Sequence, residues 1–180
     1  MKSDWCSKVV RMINVAVLCV TGLLVLSCVS KDDSATRFQM SMQSVDVDGW
    51  DSRDTLAFDL QTDSVDIENI KCKVVVRSTM AFPYKKLNLI ATIQSFSKET
   101  SLVKSLSSQE KTSYRLTYTL YGKDGRHTGI GFPFYENRVV LPTFKTEPNR
   151  TYRLLISHPM RRNLLPGVSE VGLDLYKIKK

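Results

Sequence analysis

The sequence predicts an all-β protein: a single antiparallel β-sandwich, jelly-roll-like, behind an N-terminal export signal. Three observations carry that expectation. Short segments of alternating apolar and polar residues recur from Phe38 onward, and a period of two marks half-buried strands. Turn-forming clusters such as Asp48-Gly49 and Lys123-Asp124-Gly125 separate them. Beyond the first 30 residues no stretch shows a long helical period, a heptad pattern or an internal repeat. Two packed sheets are then the arrangement that buries the apolar faces.

Taken in order, the chain opens with a positive region, Lys2, Lys8 and Arg11, followed by an apolar stretch of 14 residues from Ile13 to Leu26, broken only by Asn14, Thr21 and Gly22. A membrane-spanning helix needs about 20 residues, so this stretch suits a signal peptide over residues 1–27. It ends in Val25-Leu26-Ser27-Cys28. That ending resembles a lipobox, in which a small residue precedes a cysteine whose thiol takes a diacylglyceryl group. Cys28 is therefore the expected lipidation site, and acyl chains at ~0.8 kcal/mol per buried methylene hold a protein to a membrane without a spanning helix.

Residues 28–36 are too polar to pack and read as a lipidated N-terminus and short tether. Within it, Lys31, Asp32 and Asp33 look like the lipoprotein export signal of Bacteroidetes, which sends lipoproteins to the outer leaflet. The expected location is the outer membrane, with the cell surface favoured over the periplasmic face. Asp32 also argues against retention at the inner membrane.

The domain is expected over 37–180. Phe38, Met40 and Met42 alternate with Arg37, Gln39, Ser41 and Gln43, predicting a strand with the apolar set facing inward. Asp46 to Arg53 reads as a turn, and Leu56, Phe58 and Leu60 begin the next strand. Ile67 to Arg77 and Leu87 to Phe96 repeat the pattern. Ser97 to Thr112 is rich in Ser, Lys and Glu and reads as a surface loop or short helix. Tyr114 to Tyr121, Arg138 to Leu141, Tyr152 to Ser157 and Val171 to Ile178 supply further strands, giving seven or eight in all.

The full chain carries +8 at neutral pH; without Lys2, Lys8, Arg11 and Asp4 it keeps 23 basic and 17 acidic residues, or +6. On an exported protein such an excess meets anionic lipid, lipopolysaccharide or acidic glycans, so no nucleic-acid partner is expected. Of four cysteines, Cys6 and Cys19 leave with the signal and Cys28 is claimed by lipid. Cys72 is left without an intramolecular partner and alternates with Ile70, Val74 and Val76 as a small core residue.

The chemistry-bearing residues are sparse. Two histidines, His127 and His158, and one free cysteine offer no zinc spacing, so no metal or cofactor is expected. There is no Gly-x-Ser-x-Gly elbow; His158 reads as structural and His127 as a surface turn residue. The carboxylate pairs Asp46 with Asp48 and Asp63 with Asp66 lie in polar connectors, so solvated loop acids are expected instead of a glycosidase pair. Gly125, Gly129 and Gly131 read as turn and edge-strand glycines. An enzyme is not expected. Asp33-Ser34-Ala35, Asp54-Thr55-Leu56 and Asp63-Ser64-Val65 are similar to the O-glycosylation sequon of exported Bacteroidetes proteins.

Aromatic residues are the remaining candidates. Trp50, Tyr118, Tyr121, Phe132, Phe134 and Tyr135 could form a sugar-binding platform, and Phe132-Pro133-Phe134-Tyr135 a protein hot spot. Core packing is the favoured reading of that patch.

Several blocks resemble one family. His158-Pro159-Met160-Arg161-Arg162-Asn163-Leu164-Leu165-Pro166-Gly167-Val168, followed by Val171-Gly172-Leu173, and the earlier Phe82-Pro83-Tyr84-Lys85-Lys86-Leu87-Asn88-Leu89 behind a strand ending in Arg77, are similar to motifs of the gliding-motility lipoproteins GldH of Bacteroidetes. Trp50 with Asp54 to Phe58, and Gly125 to Gly131, match more weakly; the family usually has Trp in the place of His127. The resemblance covers roughly residues 50 to 175. It implies a noncatalytic lipoprotein tied to gliding and its associated secretion apparatus, working by contact with other envelope proteins. Arg77, Arg161, Trp50 and Tyr135 are then the candidate partner-binding residues. Internal ion pairing is the competing role for the two arginines, and a surface glycan-binding module is the alternative function.

Overall fold

The computed structural model describes residues 35–46, 48–60, 68–97, 110–148 and 150–178. Cys28, Lys31, Asp32, Asp33, the signal peptide, Asp63, Asp66 and two of the three sequon-like triplets lie outside them. Eleven strands are present among the described residues: β1 (Ala35–Ser44), β2 (Trp50–Asp51), β3 (Leu56–Leu60), β4 (Glu68–Ser78), β5 (Lys86–Ser97), β6 (Glu110–Thr119), β7 (Tyr135–Val140), β8 (Phe144–Thr146), β9 (Arg150–Ser157), β10 (Leu164–Leu165) and β11 (Val168–Ile178). The all-β expectation holds. The short β2, β8 and β10 are the ones too brief to leave a periodic trace.

The eight longer strands form two antiparallel sheets. One runs β1-β11-β4-β7, with β8 also pairing β4, and the other runs β3-β9-β5-β6. Numbering those eight strands in chain order gives 1-8-3-6 against 2-7-4-5, the strand order of a jelly roll. Except for β5 and β6, which pair as neighbours, successive long strands cross from one sheet to the other, so each hydrophobic face is completed by residues distant in sequence. Val74, Val76, Cys72, Leu173 and Leu175 from the first sheet meet Leu87, Leu89, Leu154 and Ile156 from the second, all essentially without solvent exposure. At about 25 cal/mol per Å² of buried apolar surface, this interleaved layer is the main stabilising term.

β1 departs from its predicted orientation. Its pairing with β11 shifts between Arg37 and Gln39, a β-bulge at Phe38. One inserted residue reverses every side chain after it. Phe38 still packs on the core, but Gln39, Ser41 and Gln43 now lie opposite Leu175, Leu173 and Val171, whereas Met40 turns outward and is 41% exposed. The inward glutamines have a use: Gln39 donates to the Asp59 carbonyl at 3.0 Å and Gln43 to the Ala57 carbonyl at 2.7 Å. Two edge strands of opposite sheets are thus laced together, and carbonyls on the open edge of β3 are satisfied. Ala35 and Thr36, expected in the tether, already belong to β1.

Ser44 pairs with Glu170, whereas Ala35 pairs with Ile178. Ser78 pairs with both Val168 and Tyr135. The loops after β1, β4 and β6 therefore gather at one end of the sandwich, and the chain enters β1 at the other.

Candidate functional site

The outer face of the first sheet carries a chain of charges. Arg77 on β4 reaches Glu170 on β11 at 2.6 Å and Glu136 on β7 at 3.2 Å. Arg138 on β7 bonds Glu136 at 2.6 Å and stretches to Asp174 on β11 at 3.1 Å, crossing β4 between them. Arg37 closes the row onto Asp174 at 2.7 Å, and the Tyr176 hydroxyl donates to the same carboxylate. Asp174 is fully buried and Val75, between Gly172 and Arg138 in the register, is buried as well. The arginine stem supplies the cover over Val75 that a second layer of protein would otherwise provide.

Burial pushes the Glu136 carboxyl up, but hydrogen bonds from Arg138 and Arg77 outweigh it and leave the group below its ordinary value. Donating to Glu170 first and to Glu136 second in turn raises the Arg77 pKa. Arg77 therefore takes the internal-pairing role. Arg161 does not: it is exposed and makes no ion pair among the described residues.

The loop end differs in character. Gly125, at φ +77°, turns the 121–127 hairpin, which closes with Tyr121 bridging His127. Beyond it Ile130 bridges Glu136, and the intervening residues stand out of the protein: Ile130 is 85% exposed, Phe132 84% and Phe134 51%. The reading of Phe132-Pro133-Phe134 as core is overturned. The segment lies at the tip of a connection between two sheets, and the core is already filled by strand residues. A cleft of about 570 Å³ separates it from the ion chain, with Ile130, Phe132 and Phe134 facing Arg77, Glu136 and Glu170.

The base of this loop is organised by His127, which is half-buried and not the free turn residue expected. Its ring stacks on Tyr135 at 4.1 Å and meets Tyr121 edge-on at 4.9 Å. The Gly129 amide donates to Nδ1 at 3.1 Å, and Nε2 lies 3.1 Å from the Ser78 hydroxyl. With Nδ1 accepting, the ring proton belongs on Nε2, from which it is donated to Ser78. Burial lowers the His127 pKa, favouring this neutral form.

A serine and a histidine thus do meet, across 49 residues of sequence that local motifs cannot span. The pair has the wrong polarity for nucleophilic catalysis. A general base must offer a lone pair to the hydroxyl, with its other nitrogen protonated and held by an acceptor. Here the proton faces the hydroxyl, a backbone amide occupies the orienting side, and Ser78 is wholly buried. Asp46 and Asp48 form an exposed turn in which the Asp48 amide donates to the Asp46 carboxylate. Cys72 is buried, and burial pushes its thiol up to about 12, which makes it unreactive at neutral pH. Among the described residues no cluster of His, Cys, Asp and Glu could hold a metal ion.

The sugar-platform residues scatter. Trp50 is 1% exposed, with Nε1 donating to the Asp54 carbonyl and its own carbonyl held by the buried His158. Tyr118 is buried with its hydroxyl on the Val74 carbonyl, and Tyr135 is half-buried beneath His127. Trp50 is thus a buried packing residue and not a contact residue; its bulk anchors β2 against β10. Gly167, at φ +79°, is needed where a Cβ would strike the Phe82 backbone, and Gly172 where one would strike β1. Met160 packs against the core as a partly buried plug.

Fold and site together define an antiparallel jelly-roll domain with exposed apolar side chains at one loop end, and no catalytic constellation is assembled among the described residues. The chain belongs to the GldH lipoprotein family, whose model matches residues 37–175. No curated protein matches it. Among solved structures, the VP2 subviral particle of infectious bursal disease virus is 15% identical with a TM-score of 0.28, over 82% of this chain and 32% of that one. The chain spans about a third of that viral chain, and a TM-score of 0.28 carries no argument.

Proposed function

We propose that this protein is a noncatalytic, lipid-anchored accessory component of the gliding-motility and secretion apparatus of the outer membrane. Cys28 carries the lipid, Lys31, Asp32 and Asp33 direct export to the surface leaflet, and the jelly roll works by contact with other envelope proteins. Membership of a family of gliding-type lipoproteins supports the setting. The observation that carries the contact role is the loop end: large apolar side chains held in solvent, on a tip fixed by a backbone bridge and an aromatic stack, are costly unless something covers them.

The test is affinity capture of the lipidated protein from gently solubilised envelope of its own host, with Cys28→Ala as control. Motility or secretion components recovered with the anchored form alone are the expected result. Recovery of no protein above background in either form rejects the reading.

A further inference from the structure

The loop end combines exposed apolar bulk with positive charge that makes no ion pair among the described residues. Ile130, Phe132 and Phe134 project from it, and Met80, in the loop after β4 at the same end, is 60% exposed. Around them residues 79–86, 120–134 and 158–167 carry six Lys and Arg against one acid, Asp124. Lys85, Lys86 and Lys123 are exposed and make no ion pair among the described residues, and Arg126 has only Asp124, at 3.8 Å. The cleft behind the loop, floored by Arg77, Glu136 and Glu170, leaves room for a partner's edge to enter.

We infer that this end docks into a protein partner of the cell envelope that presents an apolar pocket rimmed with carboxylates. The inference deepens the accessory-protein reading and rests on it. Two observations select protein over lipid. The chain enters the domain at the opposite end of β1, a strand of ten residues and so about 33 Å long, which places the loop away from the anchored side. The neighbouring 45–55 connection carries Asp46, Asp48, Asp51 and Asp54 against Arg53, which pairs with Asp51 at 2.6 Å. A flat anionic bilayer laid across this end would meet the three remaining acids together with the six cations, whereas a protein surface can complement each locally.

The experiment places a photo-crosslinking side chain at Phe132 of the full-length, lipidated chain in its own host, and at Lys145 on the opposite end as control. The expected result is one protein adduct from Phe132, on a segment where apolar residues flank at least two carboxylates, and none from Lys145. Lys85→Glu with Lys123→Glu lowers the yield roughly ten-fold, as loss of steering charge does. An adduct on lipid, on a second copy of the chain or on a segment without acids overturns the inference, as does no adduct. Gliding and secretion are measured beside it in Cys28→Ala and Phe132→Asp strains, with protein levels and melting checked for each. Defects in both support the docking surface. A defect in Cys28→Ala alone rejects the surface and keeps the accessory role; normal behaviour in both rejects both.

Discussion

The outer face of the first sheet and the loop end both carry charged side chains, and they treat them in opposite ways. On the sheet each of the three arginines, Arg37, Arg77 and Arg138, finds a carboxylate, and each of the three acids is bonded in return. At the loop end the cations are left open beside bare phenylalanines. The difference shows that a surface arginine signals function by what it lacks. Arg77, the first to attract attention in the sequence, is spent on holding β4 to its neighbours. Arg161 and the lysines near Phe132 remain available.

The largest expected effect tests how closed the sheet's accounts are. Arg37→Ala combined with Arg138→Ala leaves Asp174 buried without a cation, and costs about 3–5 kcal/mol of stability in chemical denaturation. Either substitution alone costs less, because the other guanidinium stays; an additive pair would refute the shared role. Arg77→Ala removes two part-exposed pairs and costs about 1 kcal/mol of stability in the same measurement.

Smaller still is the pH response of the loop base. The folded-state pKa of His127 lies below its ordinary 6.5, so the unfolded chain binds the proton more readily. Stability from this group is therefore complete above 6.5 and is lost as pH falls toward the folded value. His127→Gln flattens that part of the melting profile; an unchanged slope would show the ring is not the titrating group. Protonation also occupies Nδ1, which then no longer accepts from Gly129. The smallest effect on stability belongs to Phe132→Ala, within about 0.5 kcal/mol of the parent because the ring is 84% exposed. That variant nevertheless loses the partner adduct, measured with the probe at Ile130. A large loss of stability would mean the ring packs inward and the surface is misassigned.

Much of the fold was legible because alternation is a local signal: the longer strands β3, β4, β5, β6, β7, β9 and β11 appear within a few residues of their expected limits, whereas the short β2, β8 and β10 were not foreseen. What escaped depends on non-local geometry. The bulge at Phe38 leaves no mark in composition, yet it reverses Gln39 to Gln43, so polar residues face inward and methionines outward. Phe132 and Phe134 look like core in a one-dimensional pattern, because hydrophobicity says nothing of whether the core already has its full complement. His127 and Ser78 come together only through the pairing of β4 with β7 and the return of the 121–127 hairpin. The aromatic quality of the site was visible in the sequence; its exposure was not.

The glutamine lacing of β1 has a mechanical consequence. A lipoprotein held at its N-terminus and gripped at the far end of its domain is pulled along the length of its first strand. Backbone hydrogen bonds between antiparallel strands lie perpendicular to that direction, so those joining Ala35–Ser44 to β11 are loaded in shear and share the force, where peeling would break them singly. Gln39 and Gln43 add cross-links to the opposite sheet at the same strand. Tension applied between the proposed anchor and the proposed partner would therefore enter the domain in shear.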